Sequence, residues 1–163
     1  KISPVNPNKC PPVIQDSDQE LRDICYRKAH EMYGEDLPVQ VSSRLEKELN
    51  SIISNGYAVM YIIAQKLVWK SNADGYLVGS RGSVGSSFVA TMSGITEVNP
   101  LSPHYYCEKC HYSDFDSEEV RAFAGGCGYD MPDRMCPKCG AKLIKAGFDI
   151  PFETFLGLSL IHI

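Results

Sequence analysis

Two Cys-x-x-Cys pairs constrain this sequence more than any other feature. The four cysteines are Cys107, Cys110, Cys136 and Cys139. A turn with this spacing directs two sulfur atoms and several backbone N–H groups at one point, and two such turns supply the four tetrahedral ligands that zinc prefers. Gly140 follows the second pair and permits the tight backbone that such a turn needs. The spacing therefore predicts a structural zinc site.

A site closed by four thiolates has no open coordination position, so it would stabilise the fold rather than carry out chemistry. The chain has seven cysteines, an odd number, and the paired spacing favours a metal in a reducing compartment over secreted disulfides. A redox dithiol and unrelated buried cysteines remain open as alternatives. Cys127 lies between the pairs without a partner at ligand spacing, and we expect a spare thiol. His104 and His111 are weaker ligand candidates.

Composition excludes some classes of protein. The 163 residues carry a formal net charge of -4, and 44% of them are hydrophobic, as in ordinary soluble globular proteins. Any nucleic-acid contact must therefore use local basic groups rather than an overall positive charge. No apolar run is long enough for a membrane span, and no signal peptide heads the chain. Because the sequence opens on Lys1, we expect an internal piece of a longer, cytoplasmic protein.

Apolar spacing predicts helices before residue 104. Ser17 followed by Glu20 is a capping-box pattern, and it predicts the start of a helix that Gly34 ends. Further predictions are helices at 41–54 and 84–92, a turn at 72–75 and a short strand at 76–78. Residues 57–69 predict a largely buried helix, and their β-branched content leaves a strand open as the alternative. Residues 104–147 are richer in cysteine, glycine and charge, which indicates an inserted module.

A glycine and serine loop joins the predicted strand to the last of these helices. Its candidate nucleotide-binding residues are Gly79, Ser80, Arg81, Gly82, Ser83, Gly85 and Ser86. Glycines let backbone N–H groups form an anion nest, the next helix N-terminus adds partial positive charge, and Arg81 can make a forked pair with phosphate. The loop is neither a P-loop nor a dinucleotide fingerprint. Phosphate binding and a flexible, serine-capped turn therefore both remain open.

Several longer runs resemble a single family closely. They lie at residues 48–53, 56–59, 74–87, 95–101 and 149–157, together with the cysteine module. In register over residues 15–157, the chain resembles the PolC-type DNA polymerase III alpha subunit, the replicative polymerase of low-GC Gram-positive bacteria. This resemblance is more specific than the loop or the cysteine pairs taken singly.

The resemblance implies an α/β (α+β) fold, in which the N-terminal part of a polymerase-beta-like nucleotidyltransferase palm carries an inserted four-cysteine zinc module. The implied boundaries are 1–38 for the exit of the polymerase and histidinol phosphatase (PHP) domain, 39–103 for the start of the palm, 104–147 for the zinc insertion and 148–163 for a truncated palm continuation. Residues 79–87 would contact the incoming triphosphate.

The implied activity is that of a parent DNA-directed DNA polymerase with Mg²⁺ in its active site and an upstream exonuclease. Its implied partners are DNA primer-template, deoxynucleoside triphosphates, a sliding clamp and other replisome subunits, and no membrane. We assign no catalytic residue in this chain, since Asp149 and Glu153 lack the family's aspartate spacing. Residues 158–163 do not fit the family's aspartate-bearing segment, and Cys127 is also unexpected. The alternative is a free-standing zinc-ribbon module that binds nucleic acid or protein.

Overall fold

The computed structural model describes residues 12–79 and 82–152. Five α-helices lie in these ranges: α1 Ser17–Tyr33, α2 Val39–Ser54, α3 Ala58–Ala73, α4 Phe88–Met92 and α5 Glu118–Arg121. Three short strands are β1 His104–Tyr106, β2 Ser113–Asp114 and β3 Ile144–Ala146, and 3₁₀ turns cover Gly82–Ser86 and Gly128–Asp130. The expectation of a mixed helix and sheet fold is confirmed at this level, whereas the palm assignment and the domain boundaries stay predictions.

The first helix ends as predicted but begins differently. Gly34 has a φ of 90°, and its N–H donates to the carbonyl of His30 at 2.9 Å, which closes the last turn. The capping box at Ser17 and Glu20 is wrong, because Ser17 is already the first helical residue. Asp16 precedes it in a left-handed conformation, and its side chain makes no capping hydrogen bond.

The second helix follows its apolar pattern. Val41, Leu45, Leu49 and Ile52 are fully buried along one face, as the spacing predicts. The helix starts two residues earlier than predicted, directly after Pro38, whose fixed φ suits the residue before a helix.

The third helix is confirmed, but the prediction that it is largely buried is wrong. Met60, Leu67 and Trp69 are 50%, 66% and 52% exposed, whereas Tyr61 and Ile62 face the core. Apolar residues occur all round this helix, and only one side of it meets α1.

The segment around the glycine and serine loop departs most from prediction. Residues 76–78 form no strand and are exposed, and the predicted helix at 84–92 is divided in two. Its first part is the 3₁₀ turn Gly82–Ser86, and its second part is α4. Ser87 separates them in an extended conformation, with φ −96° and ψ 114°.

Two hydrophobic clusters organise the described residues. The larger one joins α1, α2, α3 and α4 with Leu101, Tyr106 and Phe152. The smaller one lies inside the cysteine module and contains Tyr105, Cys107, Val120, Met131, Cys136 and Leu143. The antiparallel sheet of order β2-β1-β3 presents Tyr105 to the small cluster and Tyr106 to the large one, because successive side chains of a strand point to opposite faces.

Candidate metal centre and glycine and serine loop

The strand β1 leads directly into the first cysteine pair. The N–H of Cys107 donates to the carbonyl of Tyr112 at 2.8 Å, and the N–H of His111 donates back to the carbonyl of Cys107 at 2.9 Å. His111 has a φ of 57°, a left-handed conformation that turns the chain back toward β2. These contacts close a tight loop around Cys110.

The second pair repeats the same loop. Cys136 donates to the carbonyl of Ala141 at 2.7 Å, and Gly140 donates to the carbonyl of Cys136 at 2.9 Å. Gly140 occupies the left-handed position with a φ of 69°, which fits the tight backbone expected there. The two pairs are therefore equivalent in backbone geometry, with His111 and Gly140 in matching positions.

These loops bring four sulfur atoms together. The Sγ atoms of Cys107, Cys110, Cys136 and Cys139 all lie within 4.8 Å of one another. Two of these separations are 3.3 Å between Cys110 and Cys136 and 3.5 Å between Cys107 and Cys139. Tetrahedral zinc with Zn–S bonds of about 2.3 Å places its sulfur ligands about 3.8 Å apart, so the four thiols fit such an ion.

The electrostatics of the cluster also favour a cation. Burial opposes ionisation of Cys136, but hydrogen bonds from the backbone N–H groups of Cys139 and Lys138 lower its pKa to about 6. The backbone N–H of Tyr112 favours the Cys110 thiolate, but burial and the neighbouring sulfurs raise the pKa of Cys110 to about 12. Four thiolates this close repel one another, and all four lose their protons only when a cation lies among them.

The remaining sulfur and imidazole candidates lie outside the cluster. Cys127 is not a member of it, as expected for a spare thiol. His104 is fully buried, and its two ring nitrogens contact the carbonyl of Ser102 and the hydroxyl of Tyr33. Within residues 12–79 and 82–152, the four cysteines form the one group of three or more ligand-type side chains close enough for a metal ion.

The glycine and serine loop is described in part. Gly79, the first residue of the loop, is exposed, Gly82 begins the 3₁₀ turn with a φ of 79°, and Ser83 is exposed beside it. Ser86 is buried, and its hydroxyl donates to the carbonyl of Ser83 at 2.7 Å. Gly85 packs between them against Val98, where an added Cβ would lie 3.6 Å from the valine. The predicted residues Ser80 and Arg81 lie outside the described residues.

The end of the loop is anchored by Ser87, its last predicted residue, and by Glu48 of α2, which was not among the predicted site residues. The Ser87 hydroxyl accepts from the N–H of Ala90 and donates to the Glu48 carboxylate at 3.1 Å. Burial raises the pKa of Glu48, while hydrogen bonds from Arg44 and from the N–H of Val89 oppose that rise. The signal in the sequence is the position of Glu48, an acid on the otherwise apolar face of α2.

The described helices also bear on membrane association. Across residues 12–79 and 82–152, none of them combines the length and the apolarity needed to cross a bilayer.

Comparison with known proteins assigns the chain to a family. Residues 19–161 match the family described as the bacterial DNA polymerase III alpha NTPase domain, and the chain belongs to this family. Within it, the chain is similar to DNA polymerases III of PolC type, which confirms the resemblance found in the sequence. It is 62% identical over 156 residues to the protein of Caldanaerobacter subterraneus subsp. tengcongensis, 59% over 159 residues to that of Clostridium perfringens and 57% over 158 residues to that of Staphylococcus epidermidis.

These matches cover nearly all of this chain but only a small part of each relative. They cover 96% of this chain but 11%, 10% and 11% of those three relatives. The chain therefore spans about a tenth of the length of its relatives. The free-standing zinc-ribbon alternative is not favoured, because the matched residues 19–161 include the helices and the loop as well as the cysteine module.

Proposed function

We propose that this chain is part of a replicative DNA-directed DNA polymerase, which transfers deoxynucleotides to a primer 3′ end during DNA replication. The observation that carries this proposal is the 57–62% identity to PolC-type polymerases over 96% of the chain. The polymerisation itself belongs to the whole protein, of which this chain corresponds to about a tenth.

Within that protein, the glycine and serine loop contacts the incoming triphosphate. The proposed contacts are Gly79, Ser80, Arg81, Gly82, Ser83, Gly85 and Ser86. Three features support this role: Gly82 and Ser83 are exposed, the backbone turns tightly through Gly82–Ser86, and the Arg81 guanidinium suits a forked pair with phosphate. The position as the start of a polymerase-beta-like palm is part of the same proposal.

The four-cysteine cluster binds a structural zinc ion through Cys107, Cys110, Cys136 and Cys139. The donor set supports zinc, because soft thiolates at tetrahedral spacing select it over hard cations. Mg²⁺ would act in the active site of the parent protein, held by carboxylates that are not identified among the described residues 12–79 and 82–152. Asp149 has a structural contact instead, since its carboxylate accepts from the N–H of Gly125 at 2.8 Å, and Glu153 lies outside the described residues.

The partners follow from the same activity. The whole protein would bind DNA primer-template and deoxynucleoside triphosphates, and it would work with a sliding clamp and other replisome subunits. Replication of bacterial DNA places it in the cytoplasm, where thiolates stay reduced and available for zinc.

Substitution of Arg81 tests the loop assignment. In the full-length polymerase, Arg81→Ala should raise the KM for deoxynucleotides or lower kcat, with a loss of about 1.5–3 kcal/mol for a charged hydrogen bond to phosphate. The control is Arg27→Ala, which removes an exposed arginine from α1. Steady-state primer extension at varied deoxynucleotide concentration measures both variants. If Arg81→Ala behaves like Arg27→Ala, the loop does not bind the triphosphate.

A further inference from the structure

We propose that Arg44 and Glu48, one turn apart on α2, are positioning residues that hold the loop Gly82–Ser86 in its ligand-binding conformation. This inference rests on the proposed triphosphate role of the loop. It adds two residues that lie outside the loop and act on the ligand only through it.

Arg44 joins three separate parts of the chain. Its Nη2 donates to the carbonyl of Ser86 and to the carbonyl of Ile150, both at 2.8 Å, and its Nε donates to Glu48 at 2.5 Å. The guanidinium also lies over the Phe152 ring, 6.0 Å from its centre. A planar guanidinium presents its donors in a fixed fork, so these contacts define the position of the last loop residue relative to α2.

Glu48 fixes the residues that follow the loop. One carboxylate oxygen accepts from Arg44, and the other accepts from the Ser87 hydroxyl at 3.1 Å and the Val89 N–H at 3.0 Å. The Glu48 side chain extends from α2, is fully buried, and lies beside the first residues of α4. Tyr61 adds a further contact, with its hydroxyl 3.1 Å from that of Ser87.

Arg44 helps to orient the peptide unit between Ser86 and Ser87, while Glu48 holds the Ser87 side chain that follows it. The Ser86 carbonyl points at Arg44, while the Ser87 N–H donates to the carbonyl of Val84 at 3.1 Å. A peptide unit is planar, so contacts at both ends fix its orientation. A glycine-containing loop has little stiffness of its own, and an anion nest binds only when its N–H groups converge.

The attraction between the two charges adds little to stability, so the contacts of this pair with the loop matter more. A buried ion pair is often no more stable than apolar residues of the same volume, because desolvation of both charges offsets their attraction. Leucine or methionine at these positions would fill the same space beside Leu45 and Leu49. Apolar side chains would not hold the Ser86 carbonyl, however, and so would leave the loop free to adopt other conformations.

The test compares two variants of the full-length polymerase with two controls. The double substitution Arg44→Met with Glu48→Leu replaces the pair by apolar side chains, and Arg44→Lys keeps the charge but not the fork. The first control is Arg134→Lys, which alters a matched arginine that contacts Asp114 at 2.8 Å and lies over the Tyr105 ring. The second is Arg81→Ala, which reports on the loop assignment itself.

We expect the double variant to raise the KM for deoxynucleotides about tenfold and Arg44→Lys to raise it about threefold, because misplaced binding groups lose affinity steeply. The Kd for primer-template should stay close to that of the parent in both variants, and the melting temperature of Arg44→Lys should stay close to that of Arg134→Lys. The double variant should melt at a lower temperature, because the Ser86 carbonyl and the Val89 N–H lose their side-chain partners. An unchanged KM in Arg44→Lys and in the double variant, with Arg81→Ala still impaired, overturns the positioning role alone. If Arg81→Ala leaves both KM and kcat unchanged, the proposed loop function is overturned instead. A lowered melting temperature without a change in KM shows a structural pair and also overturns the inference.

Discussion

The hydroxyl of Tyr33, in the last turn of α1, donates to Nε2 of His104 at 2.9 Å and so joins the helical core to the first strand of the cysteine module. The direction of this bond follows from the other ring nitrogen, since Nδ1 must donate to the carbonyl of Ser102 at 2.7 Å. The Asn99 side-chain amide completes this hydrogen-bond network by donating to the Tyr33 hydroxyl at 3.2 Å. All the groups in this buried network are satisfied when the imidazole is neutral.

This network predicts a loss of stability in acid. Burial lowers the pKa of His104 to about 4, although the hydrogen bond to Ser102 opposes the shift. Between about pH 6.5 and pH 4, the unfolded chain binds a proton at this imidazole that the folded chain excludes, so stability falls as the pH falls. The stabilisation from this imidazole is fully present above pH 6.5. Below pH 4 the free energy of unfolding is lower by about 3 kcal/mol.

The measurement is urea unfolding of the chain at several pH values, compared with the variant His104→Asn. Release of zinc in acid affects both proteins alike, so the difference between their pH dependences isolates the imidazole. Parallel curves between pH 7 and pH 4 would show that His104 titrates equally in both states.

The contact between Gly34 and His111 gives a second prediction. A Cβ added to Gly34 would lie 2.9 Å from the His111 Cβ, and the backbone has a φ of 90°. Gly75 is a matched control, because it also follows a helix with a positive φ of 86° but has nothing within 4 Å of an added Cβ. Gly75→Ala should cost about 1–2 kcal/mol for its backbone conformation. Gly34→Ala should cost at least about 1 kcal/mol more, because it forces α1 and the cysteine module apart. Thermal unfolding measures both, and equal losses would show that the overlap relaxes freely.

The four-cysteine cluster predicts the metal content of the purified chain. Elemental analysis should find about one zinc per chain, and Cys136→Ser should lose it, together with the fold of residues 104–147. Cys127→Ser is the matched control, since Cys127 lies outside the cluster. Removal of zinc from the unsubstituted chain with a chelator should give the same circular dichroism spectrum as Cys136→Ser. If the metal content falls equally in both serine variants, Cys127 is a ligand and the proposed set is wrong.

Regular spacing explains what the sequence predicted well. The apolar positions of α2 occur at helical intervals, and the two cysteine pairs carry their own local geometry, so both could be inferred without tertiary information. The burial of α3 could not be predicted, because Met60, Leu67 and Trp69 are as apolar as its buried residues. Which side faces the core is decided by its packing on α1.

Residues that act through distant contacts were harder to predict. Glu48 contacts Ser87 and Val89, 39 and 41 positions away, and Arg44 reaches Ile150 across 106 positions. Local propensity carries no information about such pairs. The one local signal is that Glu48 lies in helical register with Leu45 and Ile52, where the pattern calls for an apolar residue.

The last prediction is that this chain alone does not extend a primer. Two-metal phosphoryl transfer needs carboxylates that hold both ions about 4 Å apart. Among residues 12–79 and 82–152, the four cysteines form the one ligand cluster, and Asp149 is engaged with the backbone of Gly125. We therefore expect weak, salt-sensitive binding of deoxynucleoside triphosphates through the loop, without catalysis.

A primer-extension assay with magnesium and a large excess of the chain tests this prediction. The full-length polymerase serves as the positive control, and Asp149→Asn and Glu153→Gln versions of the chain serve as matched variants. No product should form at any concentration of the chain. Extension that persists after repurification and disappears in either variant would make the substituted carboxylate catalytic and would contradict this prediction.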